Sequence, residues 1–235
     1  MLKLATKFNP QRALMQQAWD AGYRNAELWL DARILAEVNQ IVPLAREFDF
    51  EYVIHSPNRT DLSNETLDQM VALYRGLNCR CAVVHQPVYD RFHEVLLGLC
   101  PEIRLAIENH RLSPAEFYVW EQQSPYLTLD VEHVWMFTMP EATLPELLKF
   151  LHEFLELSSP KLRHVHLPGY TPGYDEHRPM YCNRDLVYGM FSMLAEFHFD
   201  GLIVSESENE FQNPRDLRMD VLLYEGWQAH SQATS

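Results

Sequence analysis

Six residues able to ligate a metal each close a short apolar run: His55 in YVIHSP, His85 in AVVHQP, Glu108 in LAIENH, Asp130 in LTLDVEH, His166 in HVHLPGY and Glu206 in LIVSESE. With 33 acidic residues and 11 histidines among 235, such a residue falls on about one position in five by chance, so six in succession mark a shared site. Imidazole and carboxylate are donor types of divalent-metal sites, and several isolated carboxylates gathered in an interior are too costly to keep without a cation. Two spacings extend the set: Asp130-x-x-His133, and Asp175-x-His177 within GYDEHRPMY. A metal held by such groups can polarise an oxygen or activate water, and the carboxylates can carry protons.

The elements that must position these groups alternate in period. Strand-like runs at 2–7, 25–30, 52–56, 82–85, 104–108, 127–130, 162–167 and 202–206 are separated by runs of helical spacing. Helix signals stand between them. Asn9 before Pro10 reads as an N-cap with Gly22 as the stop, Ser113/Glu116 and Thr143/Glu146 read as capping boxes, and Asn183 and Asn213 open the last two helices. The signal is weak only at 88–99. Eight βα units without a linker or a shift in composition predict one α/β domain, a (β/α)8 TIM barrel over residues 1–235 with a frayed tail from about 230. No GxGxxG or P-loop follows the first strand, which removes the signature of a doubly wound nucleotide fold.

A barrel carries its chemistry at the C-terminal strand ends, where the six residues fall. Alternation along a strand turns Ala106 and Glu108 toward the axis while Leu105 and Ile107 face helices, and it turns His164 and His166 inward while Val165 and Leu167 face out. His164 then lies behind the site, where a hydrogen bond from it can orient a ligand. Glu27 points inward on the second strand, either to bind substrate or, as the preferred reading, to pair with Lys3 or Lys7. The segment 168–182 is the longest after any strand and reads as a lid, whose Arg178 and Tyr170, with Trp135, supply substrate contacts. Trp29 reads as core by default.

Lys plus Arg is 19 against 33 acidic residues, a formal charge of −14, so nucleic acid is disfavoured as a partner and a small-molecule substrate is expected. No apolar run reaches membrane-span length, and the N-terminus has no signal-peptide core. Four cysteines without CxxC spacing fit a reduced, cytoplasmic setting. A homo-oligomer is compatible with the sequence and not specified by it.

IENH, LTLDVEH, HVHL and VSESE resemble the metal quartet of the xylose isomerase-like TIM-barrel superfamily, which includes sugar isomerases and epimerases and the endonuclease IV group. The resemblance covers essentially the whole chain. It implies that Glu108, Asp130, His166 and Glu206 hold a divalent metal and that Glu108 and Glu206 are the catalytic acids that move a proton beside a carbonyl. The expected activity is a metal-dependent isomerase or epimerase of a small sugar or sugar-like polyol. His55, His85, Asp-x-x-His and Asp-x-His are in addition similar to the three-zinc set of endonuclease IV. That similarity implies one metal on His55, His85 and a bridging Glu108, a second on the quartet, and a third on His133, Asp175 and His177. A trinuclear phosphodiesterase or AP endonuclease, or a multinuclear iron oxidase on the same barrel, is thus the rival reading. One to three ions of Mn, Co, Zn or Fe are implied, and their number and identity separate these chemistries.

Overall fold

The computed structural model describes residues 2–174 and 176–233. Eight strands, β1 (Lys3–Phe8), β2 (Asn25–Trp29), β3 (Glu51–His55), β4 (Ala82–His85), β5 (Leu105–Glu108), β6 (Leu127–Asp130), β7 (Leu162–His166) and β8 (Leu202–Ser205), close into a barrel in sequence order. All neighbours are parallel, including β1 with β8. Helices α1 (Arg12–Ala21), α2 (Ala32–Leu35), α3 (Val38–Ala45), α4 (Asn64–Gly76), α5 (Gln86–Leu99), α6 (Pro114–Gln123), α7 (Val131–His133), α8 (Leu144–Ser158), α9 (Arg184–Glu196) and α10 (Pro214–Ala233) follow the strands. The outward residues of the strands and the apolar stripes of the helices, such as Leu147, Leu151, Phe154 and Leu155 of α8, form the main buried core.

A second, smaller core fills the barrel itself. Ala5, Val53, Cys81, Val83, Ala106, Leu202 and Val204 form an apolar plug along the axis. Two residues further along each strand, the same parity delivers Lys7, His55, His85, Glu108 and Glu206, so a polar layer lies directly above the plug. Trp29 shares this parity on β2 and sits beside His55 in the register. At 42% exposed it stands at the mouth, not in the core where it was expected.

The ends of the elements follow local chemistry. Ser113 and Glu116 form the capping box, the Asn183 carboxamide oxygen accepts from Leu186 N, and Gly22 ends α1 at φ 111°, a conformation that strains any residue with a Cβ. Helix α1 begins at Arg12, with Gln11 rather than Asn9 at its N-cap: Gln11 N donates to Asn9 O in a tight turn, which delays the helix past Pro10. The weak segment is the full helix α5, opened by Pro87 in its first turn. Helix α10 runs to Ala233, past the expected start of a frayed tail, with Trp227 packed on Phe191 and Tyr224. No helix among the described residues is long and apolar enough to cross a membrane.

Asp220 ties α10 to the barrel, accepting from Ser205 Oγ and from Tyr181 N at 3.1 Å. Burial raises its carboxyl from the ordinary 3.8 to about 6. Its contribution to stability is therefore complete below pH 3.8 and is lost as the pH rises through about 6, by about 3 kcal/mol from a shift of this size. Asp220→Asn should remove that part of the pH dependence. Urea unfolding of both proteins from pH 4 to pH 7 checks this, and parallel curves would refute it.

Candidate metal centre

Glu108, at the end of β5, is the hub. Its Oε2 lies 3.2 Å from His55 Nε2, 3.3 Å from His85 Nε2 and 3.8 Å from His166 Nδ1, and its Oε1 lies 3.4 Å from His133 Nδ1. The β4–β5 register places His85 directly opposite Glu108, and the β6–β7 register pairs Asp130 with His166. Asp130 opens α7 by accepting from His133 N through Oδ1 at 2.9 Å, while its Oδ2 faces His133 Nδ1 at 3.0 Å and His166 Nδ1 at 3.9 Å. The Asp-x-x-His spacing is therefore one turn of helix, continued as a π-helical turn, Val134–Thr138. Asn109 clamps this corner, donating to Asp130 O at 2.9 Å and accepting from Asp130 N at 2.6 Å.

Behind the centre lies a closed polar network. Glu27 Oε2 accepts from His166 Nε2 at 2.9 Å and from His164 Nε2, and Lys7 Nζ stands 3.2 Å from Glu27 Oε1 and 2.5 Å from Glu206 Oε1. Lys7 is thus the partner of Glu27, while Lys3 pairs with Glu51. Because its Nε2 donates to Glu27, His166 must present Nδ1 as a lone pair when it acts as a ligand, toward Glu206 Oε2 at 2.8 Å.

The charges are strongly coupled. Burial opposes ionisation of Glu108, yet His133, His55 and His85 hold its carboxyl well below the usual range. Glu206 and Glu27 are lowered likewise against burial, the first mainly by His166 and Lys7, the second by His166, Lys7 and His164. Despite burial, His133 brings Asp130 down to about 2, and Asp130 with Glu108 lifts His133 to about 11. His166 is also raised, burial notwithstanding, by Glu206 and Glu27. Protons on imidazoles thus balance a surplus of carboxylates, and a divalent cation would take over that balance and release them.

The residues fit a metal. Asp130 Oδ2, His133 Nδ1, His166 Nδ1 and Glu206 Oε2 are buried and have no aligned hydrogen-bond partner, although they approach one another and Glu108 at 2.8–3.9 Å. Metal bonds of about 2.0–2.2 Å leave neighbouring donor atoms about 3–3.5 Å apart, so this convergence suits coordination better than hydrogen bonding. His55–His85–Glu108 and Glu108–Asp130–His166 each offer donor atoms within 4.8 Å of one another. Glu27, His164 and His166 also satisfy that distance, but hydrogen bonds and Lys7 already occupy the atoms that face each other there.

The segment expected to be a lid is, where described, held by protein groups. The buried Glu132 accepts from His177 N at 3.1 Å and faces His177 Nδ1 at 3.1 Å, Gly169 N donates to Arg178 O at 2.7 Å, and Glu208 N donates to His177 O at 2.9 Å. Gly169 is required there, since a Cβ would lie 1.9 Å from Pro179 O. His177 is lifted to about 9 by Glu132 in spite of burial, and its ring stands 6.3 Å from that of His133. Asp175 lies outside the described residues. Of the residues expected to contact substrate, Tyr170 and Trp135 pack edge to face with Trp135 Nε1 bonded to Ala142 O, and Arg178 lies over the Tyr174 ring. A cavity of about 340 Å³ opens instead beside Glu206, lined by Lys7, Asn9, Trp29, His177 and Gln212 among others.

Three contributors were not picked out from the sequence as part of the site: Asn109, Glu132 and His110. Each sits beside a named ligand, in IENH or DVEH, and only the corner geometry turns it toward the site. Burial, with His85 and His133 alongside, brings His110 down to about 4.

Several solved structures share this architecture. A D-tagatose 3-epimerase-like protein superposes with a TM-score of 0.72 at 14% identity, covering 99% of both chains. The shared fold is the closed eight-stranded parallel barrel. The D-allulose 3-epimerase from Methylomonas sp., solved with D-allulose, gives 0.59 at 14% identity over 95% of this chain and 90% of its own. An L-ribulose 3-epimerase gives 0.55 at 14% identity over 100% and 98%. The (β/α)8 barrel expected from the alternation of strands and helices is thus met in the fold. No family model and no curated protein matches the sequence.

Proposed function

We propose that the protein is a metal-dependent isomerase or epimerase of a small sugar or sugar-like polyol. The observation that carries this reading is that Glu108 and Glu206 reach one point, His166 Nδ1, at 3.8 and 2.8 Å, with Asp130 at the same place. A divalent metal on Glu108, Asp130, His166 and Glu206 would polarise the carbonyl and hydroxyl oxygens of a bound polyol. Glu206 borders the cavity and exchanges a proton at the carbon next to that carbonyl, and Glu108 serves the other side. Lys7 keeps Glu206 ionised between turnovers, and Glu27 fixes the His166 ring. The sugar 3-epimerase barrels with the same fold support this substrate class.

One observation favours the second reading, a trinuclear phosphodiesterase. His55 and His85 converge on Glu108, which a one-metal epimerase does not require. Two assays separate the two readings. Incubation of the metal-loaded protein with ketopentoses and ketohexoses in deuterated water should place deuterium on the carbon beside the carbonyl. Absence of exchange across the panel, together with cleavage of a phosphodiester or an abasic-site duplex, would replace the first reading by the second. The −14 charge predicts negligible binding to duplex DNA.

A further inference from the structure

We propose that His110, with His133 and Glu108, forms a metal site of its own on the β4–β5 side of the centre, so that an ion beyond the quartet is held by the barrel wall and not by the lid. The donor atoms of Glu108, His110 and His133 lie within 4.8 Å of one another. The carboxylate is suitably divided: Glu108 Oε2 faces His55, His85 and His166, while Oε1 is turned to His133 at 3.4 Å and remains for a different ion. Nδ1 of His110 is buried without a hydrogen-bond partner, a state that calls for an explanation, and His133 Nδ1 faces two carboxylates, Asp130 Oδ2 at 3.0 Å and Glu108 Oε1 at 3.4 Å, with neither in aligned hydrogen-bond geometry.

The backbone presents His110 for this role. The residue follows two positions after Glu108 in a tight turn, His110 N donating to Glu108 O at 2.9 Å, and its ring stacks on His85 at 4.6 Å and meets His133 edge-on at 4.8 Å. His177, in the segment after β7, is meanwhile held by Glu132, which accepts from its backbone N and stands 3.1 Å from its Nδ1. The wall site also has its own access. A groove of about 790 Å³ between α5 and α6 reaches His85, Glu108 and His110 from the side opposite the Glu206 cavity, past Tyr89, Leu112 and Val119. An ion there would keep an open position toward solvent.

The inference rests on the metal-dependent reading of the centre, and stoichiometry separates the two. Protein stripped by chelation and reloaded with Zn²⁺ is analysed for bound metal, with circular dichroism as the check on folding. His110→Ala should lose one equivalent relative to the unaltered protein, and His177→Ala should lose none. His110→Gly with added imidazole should regain the equivalent, since the groove admits the free ring. With Co²⁺, the visible bands of the reloaded protein should change in His110→Gln and not in His177→Ala. Full stoichiometry and an unchanged Co²⁺ spectrum in the His110 variants would overturn the wall site while leaving the quartet intact. Loss of an equivalent in His177→Ala alone would move the ion to the lid, and unaltered protein that binds no Zn²⁺ would overturn the metal reading and this site together.

Discussion

Glu108→Gln is expected to leave the barrel folded, to release metal from the centre and to lower turnover by about 10⁴-fold or more, the scale of losing one member of a catalytic unit. The size of the effect follows from position. Glu108 meets His55, His85, His133 and His166 with its two oxygens, so one substitution removes a donor from each group of ligands that shares it. Glutamine keeps the volume above the apolar plug, but it offers one acceptor oxygen instead of two and carries no charge to attract a cation. Folding should survive because the plug and the helix-facing core do not depend on this carboxylate. Elemental analysis and circular dichroism on the same sample test the expectation, and a variant that keeps its metal and its activity would remove Glu108 from the centre.

The barrel was legible in the sequence because its two periodicities are clean. Residues alternating by two along β5 and β7 settle which side chains face the axis before any contact is known, and Glu108, His164 and His166 are found where alternation places them. The candidate ligand residues at the ends of β3 to β6 were legible for the same reason: a parallel barrel collects the last inward residue of every strand at one mouth. Residues on corners were not. Asn109, His110 and Glu132 lie one or two positions past a strand end, where period two no longer holds and the chain turns on local hydrogen bonds such as Asn109 to Asp130. Trp29 departs from the core position its aromatic type suggests because parity on β2 aligns it with Glu27 and brings it to the mouth.

Glu27 shows how far a pattern carries and where geometry takes over. Parity turns it inward and charge offers Lys3 or Lys7, of which Lys7 is the partner and Lys3 is not, but the larger role lies across the barrel, where one oxygen accepts from His164 and His166 on β7. No spacing in the sequence links positions 27 and 166. Glu27→Gln should weaken metal binding about 10–100-fold, as for loss of a carboxylate that orients a ligating histidine, because His166 Nε2 would lose its charged acceptor and the ring its fixed tautomer. Glu27→Ala should in addition destabilise the fold by about 3–5 kcal/mol, since it removes one side of a buried ion pair and leaves the Lys7 ammonium leaning on Glu206 alone. Calorimetric titration with Zn²⁺ and urea unfolding of the metal-free proteins separate the two effects. Unchanged affinity in Glu27→Gln would mean that His166 is oriented by the strand itself. A loss of affinity in Glu27→Gln with unchanged metal-free stability would identify Glu27 as a residue that orients His166 for the metal, since a purely structural carboxylate would lower both together in that variant too.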